Sequence, residues 1–175
     1  MDLNKKNIVL IGMMGSGKST IGYLLAKAID LKFVDIDKII EKEEGLKIHN
    51  IFEKRGEAYF RNLEEKISLK FLKSKKKIIS LGGGGFLNKK IRKETLINSL
   101  SFWLNWKNIT IINRIYRSKK RPLAFNSDEN DLKKIIIERS KIYSEANFKI
   151  NCESLTKNMI VNQIKNLYEK NEISC

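Results

Sequence analysis

"GMMGSGKST", residues 12–20, settles how the rest of this 175-residue chain is read. It satisfies G-x-x-x-x-G-K-[ST] and lies between an apolar run, "NIVLI" (7–11), and an amphipathic stretch, "KSTIGYLLAKAI" (18–29). A strand on one side and a helix on the other is the context this motif needs. Backbone N–H groups must converge on phosphate oxygens, and Gly12, Gly15 and Gly17 permit that approach at little steric cost. Lys18 reaches the β- and γ-phosphates, the helix N-terminus adds partial positive charge, and the Ser19 hydroxyl is a magnesium ligand. A plain strand-to-helix turn would not call for Lys-Ser at that point. The expected triphosphate site is therefore Gly12, Gly15, Ser16, Gly17, Lys18, Ser19 and Thr20.

Outward from the loop, strands and helices take turns. "KFVDID" (32–37), "KIISL" (77–81), "SFWLNW" (101–106) and "FKIN" (148–151) read as further strands. "KIIEKEEG", "IHNIFEKRG", "EAYFRNLEEKISLKFLK", "DLKKIIIERSKIYSEA" and "TKNMIVNQIKNLYEK" read as helices, and "NITIINRIY" (108–116) suits either. Apolar strands separated by helices imply an α/β fold whose parallel sheet is covered on both faces. In such sheets ligands gather at the carboxyl ends of the strands.

Composition bounds the partners. The 42% apolar content suits a globular core, and no run is long enough to span a bilayer. Lysine and glycine interrupt the first apolar stretch where a secretory leader would be cleaved, so a cytoplasmic protein is expected. Cys152 and Cys175 lack metal or redox spacing and read as inert thiols; His49 reads as a packed or surface residue. The net charge of +15 comes from scattered lysines, such as Lys5-Lys6, Lys89-Lys90 and Lys133-Lys134, without interleaved aromatics. That pattern favours a diffuse field attracting anionic substrates over nucleic-acid binding. A monomer acting on a small molecule is expected, with neither nucleic acid nor membrane as partner.

The kind of P-loop protein follows by exclusion. No N-K-x-D is present to read guanine, and the third strand ends in glycines rather than the Asp-Glu of an AAA-type ATPase. A small-molecule kinase remains. "FVDIDKII" places Asp35 and Asp37 at a strand's carboxyl end beside the loop. One carboxylate can hold magnesium through water while the other faces the hydroxyl being phosphorylated, although Asp37 could instead cap the next helix. Arg61 stands three residues before Glu64 on one helix face. Arg121 lies in a polar loop from which it could fold over a triphosphate, and Arg139 lies on a later helix.

In this order, "GMMGSGKSTIG", "FVDIDKIIE", "IFEKRGEAYFRNLEEK", "SLGGGG", "RPLAF" and "ERSKIYSEA" resemble the shikimate kinase family. The resemblance implies a single P-loop kinase domain over 1–175. Its fold would have three layers: a central five-stranded parallel sheet flanked by helices. Acceptor-binding helices would lie at about 37–64 and a mobile lid at about 115–130. It implies transfer of the γ-phosphate of ATP to the 3-hydroxyl of shikimate, with Mg2+, in the route to chorismate and the aromatic amino acids.

By the same resemblance, Asp37 binds the shikimate hydroxyls and serves as base, Arg61 and Arg139 grip the carboxylate, and Glu64 orients an acceptor-site arginine. Phe52 and Phe60 contact the ring, and Asp35 joins Ser19 near magnesium. Arg121 is the lid arginine on the phosphates, and Arg114 lies against the adenine. Lys18, Asp37 and Arg121 are thus the expected catalytic residues. The second glycine cluster, Gly82, Gly83 and Gly84, is expected on the acceptor side, where a Cβ would intrude. A gluconate kinase-like enzyme on the same fold is the nearest alternative, because gluconate also offers hydroxyls and a carboxylate. A nucleotide-dependent nucleic-acid-binding module is the alternative of a different class.

Overall fold

The computed structural model describes residues 6–117 and 128–173. Strands β1 (Asn7–Ile11), β2 (Lys32–Asp35), β3 (Lys77–Ser80), β4 (Ser99–Asn105) and β5 (Phe148–Asn151) form one parallel sheet in the order β2-β3-β1-β4-β5. β1 is central, with Val9 opposite Ile79 of β3 and Ser101 of β4. Seven α-helices accompany the sheet among the described residues: α1 (Lys18–Ile29), α2 (Ile36–Glu44), α3 (Ile48–Leu72), α4 (Lys89–Asn98), α5 (Asn108–Arg117), α6 (Glu129–Tyr143) and α7 (Lys157–Ile173).

Alternation along the strands builds two cores, because successive side chains point to opposite faces. Ile8 and Leu10 of β1, with Phe102 and Leu104 of β4, meet α1 and α7 through Ile21, Leu25, Ile160 and Ile164. Val9 and Ile11, with Ile79 and Trp103, face the opposite layer, to which α2–α6 contribute Ile40, Ile51, Ile91, Ile111 and Ile136. The expected fold class holds, with five parallel strands and helices on both faces. No helix among the described residues is long and apolar enough to cross a membrane.

Three local readings are sharpened. The ambiguous stretch after β4 is helix α5, whose buried Ile111, Ile112 and Ile115 recur at helical spacing. The two helices read on either side of Gly56 hold: they follow one another within α3 and are separated by a kink at Gly56, whose φ of +79° is not helical. Helix α4 escaped the sequence reading because it buries only Ile91 and Thr95, too thin a stripe to register as periodicity. Its start is marked by Asn88, whose side chain accepts from the N–H groups of Lys90 and Ile91.

Long-range polar contacts hold the layers in register. Buried Asn7, at the start of β1, donates to the Leu72 carbonyl at 3.0 Å and accepts from the Lys77 N–H at 3.0 Å, tying the end of α3 to the start of β3. The expected lid lies largely in residues 118–127, which carry Arg121 and fall outside the described residues.

Candidate active site

β1 ends at Ile11 and the chain turns through Gly12 (φ +144°), Gly15 (φ +81°) and Gly17 (φ +91°), a region that side-chained residues seldom enter. Around Gly17 there is open space, so glycine is required there by backbone conformation alone. α1 starts at Lys18 with no side-chain cap, leaving its first N–H groups for an incoming anion. Lys18 is 8% exposed and folds back over the loop, donating to the carbonyls of Gly12 (2.8 Å) and Met13 (3.0 Å). Buried Ser16 Oγ has no hydrogen-bond partner among the described residues. Thr20 lies on the exposed side of the first turn.

Ser19 Oγ donates to Asp35 Oδ2 at 2.5 Å. Asp35 is buried at the end of β2, and its other oxygen accepts from the Lys38 N–H, capping α2. The helix-capping role considered for Asp37 therefore belongs to Asp35. Asp37 sits inside the first turn of α2, its carboxylate not spent on a cap. A hydroxyl and a carboxylate at the mouth of an anion-binding loop form an oxygen donor set suited to Mg2+.

The glycine segment after β3 is the meeting point of the acceptor-side groups. A Cβ on Gly82 would lie 2.6 Å from both Asp37 Oδ1 and Glu64 Oε1, and one on Gly84 2.6 Å from Arg61 Nη1. A Cβ on Gly83 would lie 3.3 Å from the Met14 backbone nitrogen and 3.7 Å from Arg139 Nη1. None of these glycines has positive φ. Their identity is a matter of space, and at Gly82 and Gly84 that space is filled by the protein's own carboxylates and guanidinium. Gly83 also brings the segment against the phosphate loop, so the two glycine clusters touch.

Arg61 Nη1 donates to Glu64 Oε2 at 2.7 Å, and its other nitrogens reach Glu57 Oε1 at 3.1 Å. Glu64 is 2% exposed, and its Oε1, aimed at Gly82, has no hydrogen-bond partner among the described residues. This pair is no solvated surface bridge. The Phe60 and Phe52 rings pack at a tilt of 35° with centroids 4.7 Å apart, and the Arg61 guanidinium lies 5.2 Å from the Phe60 ring centroid. Burial drives the Asp37 carboxyl up to about 6; Asp35, Glu64 and Glu41 push the same way, and Lys18 opposes them. Burial also raises Glu64, against the pull of Arg61. Burial works to lower Arg61, yet the charges and hydrogen bonds of Glu64 and Glu57 carry it above its ordinary value.

Lys18, Ser19, Asp35, Asp37, Arg61, Glu64, Gly82–Gly84 and Arg139 thus share one crevice at the carboxyl ends of β1, β2 and β3. Arg114 lies on the β4 side of the phosphate loop, donating to the Gly15 carbonyl at 3.4 Å. Arg121 is outside the described residues. Burial raises the Cys152 thiol to about 12, in keeping with an inert residue.

Three participants have no role assigned from the sequence, although one of them, Tyr143, belongs to the "ERSKIYSEA" stretch that carries the resemblance. Tyr143 donates to the Gly83 carbonyl and lies 3.7 Å from Met13 Sδ, whose other neighbour is Arg139 Nη1 at 4.0 Å. Burial holds the Tyr143 hydroxyl protonated, with its pKa at about 12. Tyr143 follows Arg139 by one helical turn, the R-x-x-x-Y spacing of the resemblance, and the structure shows what the tyrosine does there. Met13 occupies a free position of the phosphate-loop motif and carries no signal. Trp106, one residue past the end of β4, donates to the Ser16 carbonyl at 2.9 Å. Its place at a strand's carboxyl end was the available clue.

Comparison with known proteins agrees with this geometry. Residues 14–169 match the model of the shikimate kinase family. The shikimate kinase of Persephonella marina is 41% identical over 159 residues, 91% of this chain and 96% of its own. The solved shikimate kinase from Acinetobacter baumannii in complex with shikimate superposes with TM-score 0.88 at 30% identity, covering 95% of this chain and 94% of that one. A gluconokinase from Sinorhizobium meliloti shares the fold alone, at TM-score 0.60 and 16% identity, covering 98% of each chain. On family match, identity and superposition together, the chain belongs to the shikimate kinase family.

Proposed function

We propose that the protein transfers the γ-phosphoryl group of ATP to the 3-hydroxyl of shikimate. The observation that carries this is the convergence of Asp37, Arg61 and Arg139 on a glycine segment that abuts the phosphate loop. A carboxylate for a hydroxyl and two guanidinium groups for a carboxylate describe a hydroxylated acid as acceptor. Arg61 is held in place by Glu64 and Glu57 before any substrate arrives, so little ordering is left to binding.

In the reaction so read, Asp37 accepts the proton of the attacking hydroxyl as its oxygen bonds to the γ-phosphorus. The bond from that phosphorus to the β,γ-bridging oxygen breaks, and the electron pair leaves with ADP. Lys18 gives up the carbonyls of Gly12 and Met13 for phosphate oxygens and follows the charge as it moves toward the leaving group. Ser19 and Asp35 are the residues that would hold Mg2+, which when bound neutralises charge on the β- and γ-phosphates. Arg121 is assigned to the phosphates from the resemblance alone.

ADP release measured with shikimate, gluconate and nucleoside monophosphates in parallel tests the reading. Shikimate alone should stimulate turnover; no stimulation by shikimate sinks it. Within the same assay, Arg139→Ala should raise the KM for shikimate by about 30-fold or more, the loss of a charge-assisted contact, and leave the KM for ATP nearly unchanged. A rise confined to ATP would mean the donor and acceptor sides have been exchanged.

A further inference from the structure

Resting on the nucleotide site proposed above, we infer that Trp106 is a positioning residue for nucleotide binding, acting through Arg114 and the phosphate loop. Its indole performs two tasks at once. The Nε1–H donates to the Ser16 carbonyl at 2.9 Å, holding the loop between its glycines. The ring face carries the Arg114 guanidinium, whose Cζ lies 3.7 Å from the ring centroid. Arg114 in turn donates to the Gly15 carbonyl at 3.4 Å, so indole, guanidinium and two successive loop carbonyls form a closed set.

The surroundings make that set rigid. Asn105 and Lys107, on either side of Trp106, are tied to the segment after β5. The Asn105 side chain donates to Asn151 Oδ1 at 3.0 Å, its carbonyl accepts from the Cys152 N–H at 2.9 Å, and the Lys107 N–H donates to Glu153 Oε2 at 3.1 Å. Thr110, in the first turn of α5, donates to the other Glu153 oxygen at 2.6 Å. Trp106 also packs against both hydrophobic cores and so sits on the seam between the two layers. A flexible arginine on an open helix face would lose rotamer freedom when a nucleotide ordered it. Stacked on Trp106, Arg114 has already lost it. With the carbonyls of Ser16 and Gly15 held by Trp106 and Arg114, the peptide units between the loop's glycines are fixed before a nucleotide arrives. Trp106 therefore fixes base side and phosphate side relative to each other in advance.

The test uses ADP without acceptor, so that it is independent of turnover. ADP and, separately, shikimate are titrated by calorimetry into the wild-type protein, Trp106→Phe and Trp106→Leu, with thermal unfolding recorded for each without ligand. Trp106→Phe keeps an aromatic face and deletes the N–H donor; about fivefold weaker ADP binding is expected. Trp106→Leu deletes both, and about 30-fold is expected. Shikimate affinity should stay at the wild-type value in both variants. ADP affinity unchanged in both, or ADP and shikimate weakened alike, overturns the inference, the second because it is what general loosening of the fold would give. If the leucine variant unfolds, the phenylalanine variant alone decides by the same criterion. Failure of the wild-type protein to bind ADP at all would overturn the nucleotide site itself, and this inference with it.

Discussion

Lys18→Ala should lower kcat by on the order of a thousandfold while the protein stays folded, because the ammonium is the preorganised charge nearest the transferring group. The neighbourhood sharpens this expectation. Lys18 is buried over the loop, held by the carbonyls of Gly12 and Met13. The loop's backbone is set by Gly12, Gly15 and Gly17, so removing the side chain leaves those glycine conformations in place. Lys18 also lowers the pKa of Asp37, so its loss should move the acidic limb of the remaining activity to higher pH. Steady-state kinetics across pH, with circular dichroism as the check on folding, measure both effects. Near-normal kcat in the alanine variant would remove Lys18 from the catalytic set.

Asp37→Asn should cost about 10²- to 10⁴-fold in kcat, the range of a positioned general base, and should also change the form of the pH dependence. In the wild-type protein the base works only when ionised. With its pKa raised to about 6 by burial, kcat/KM should climb with pH up to roughly that value and then level off. The asparagine variant should lack this limb. Stability moves in the opposite sense. A carboxyl whose pKa is higher folded than unfolded binds its proton more tightly in the native state, so its contribution is fully present below about 4 and is lost as pH rises through about 6. At neutral pH the wild-type protein holds a destabilising charge, and Asp37→Asn should melt at a higher temperature than the wild type, as active-site charges often allow. An asparagine variant that is inactive and also less stable at pH 7 would contradict the burial of an unrelieved carboxylate.

Much of this site could be read from residue types. Lys18 and Ser19 follow a glycine loop between a strand and a helix, and contiguous residues fix that chemistry locally. Glu64 was harder. An Arg-Glu pair three residues apart is usually a solvated helix face, and only the packing of α3 under the glycine segment shows it 2% exposed with one oxygen unpartnered. Asp35 and Asp37 are visible as a functional pair, but only the family resemblance divides them; residue types alone do not, because the strand-to-helix boundary between them depends on where β2 stops. Helix α4 was invisible, burying two residues where periodicity needs a stripe.

By itself the sequence determined that this chain builds a parallel sheet around a phosphate loop, since both follow from patterns over a few residues: alternating apolar runs, helical spacing and the glycines of one turn. The acceptor crevice and the Trp106–Arg114 brace were decided by tertiary structure. Their members come from four segments on one side, residues 35–37, 61–64, 82–84 and 139, and from three on the other, residues 15–16, 106 and 114. What joins them is the order β2-β3-β1-β4-β5, which sets the ends of distant strands side by side. The second glycine cluster shows the difference most clearly. Its residues look like a flexible turn or a spare phosphate cradle, and their φ angles are ordinary. They are glycines because Asp37, Glu64 and Arg61 already occupy the space a Cβ would need, a constraint that exists only once the chain has folded.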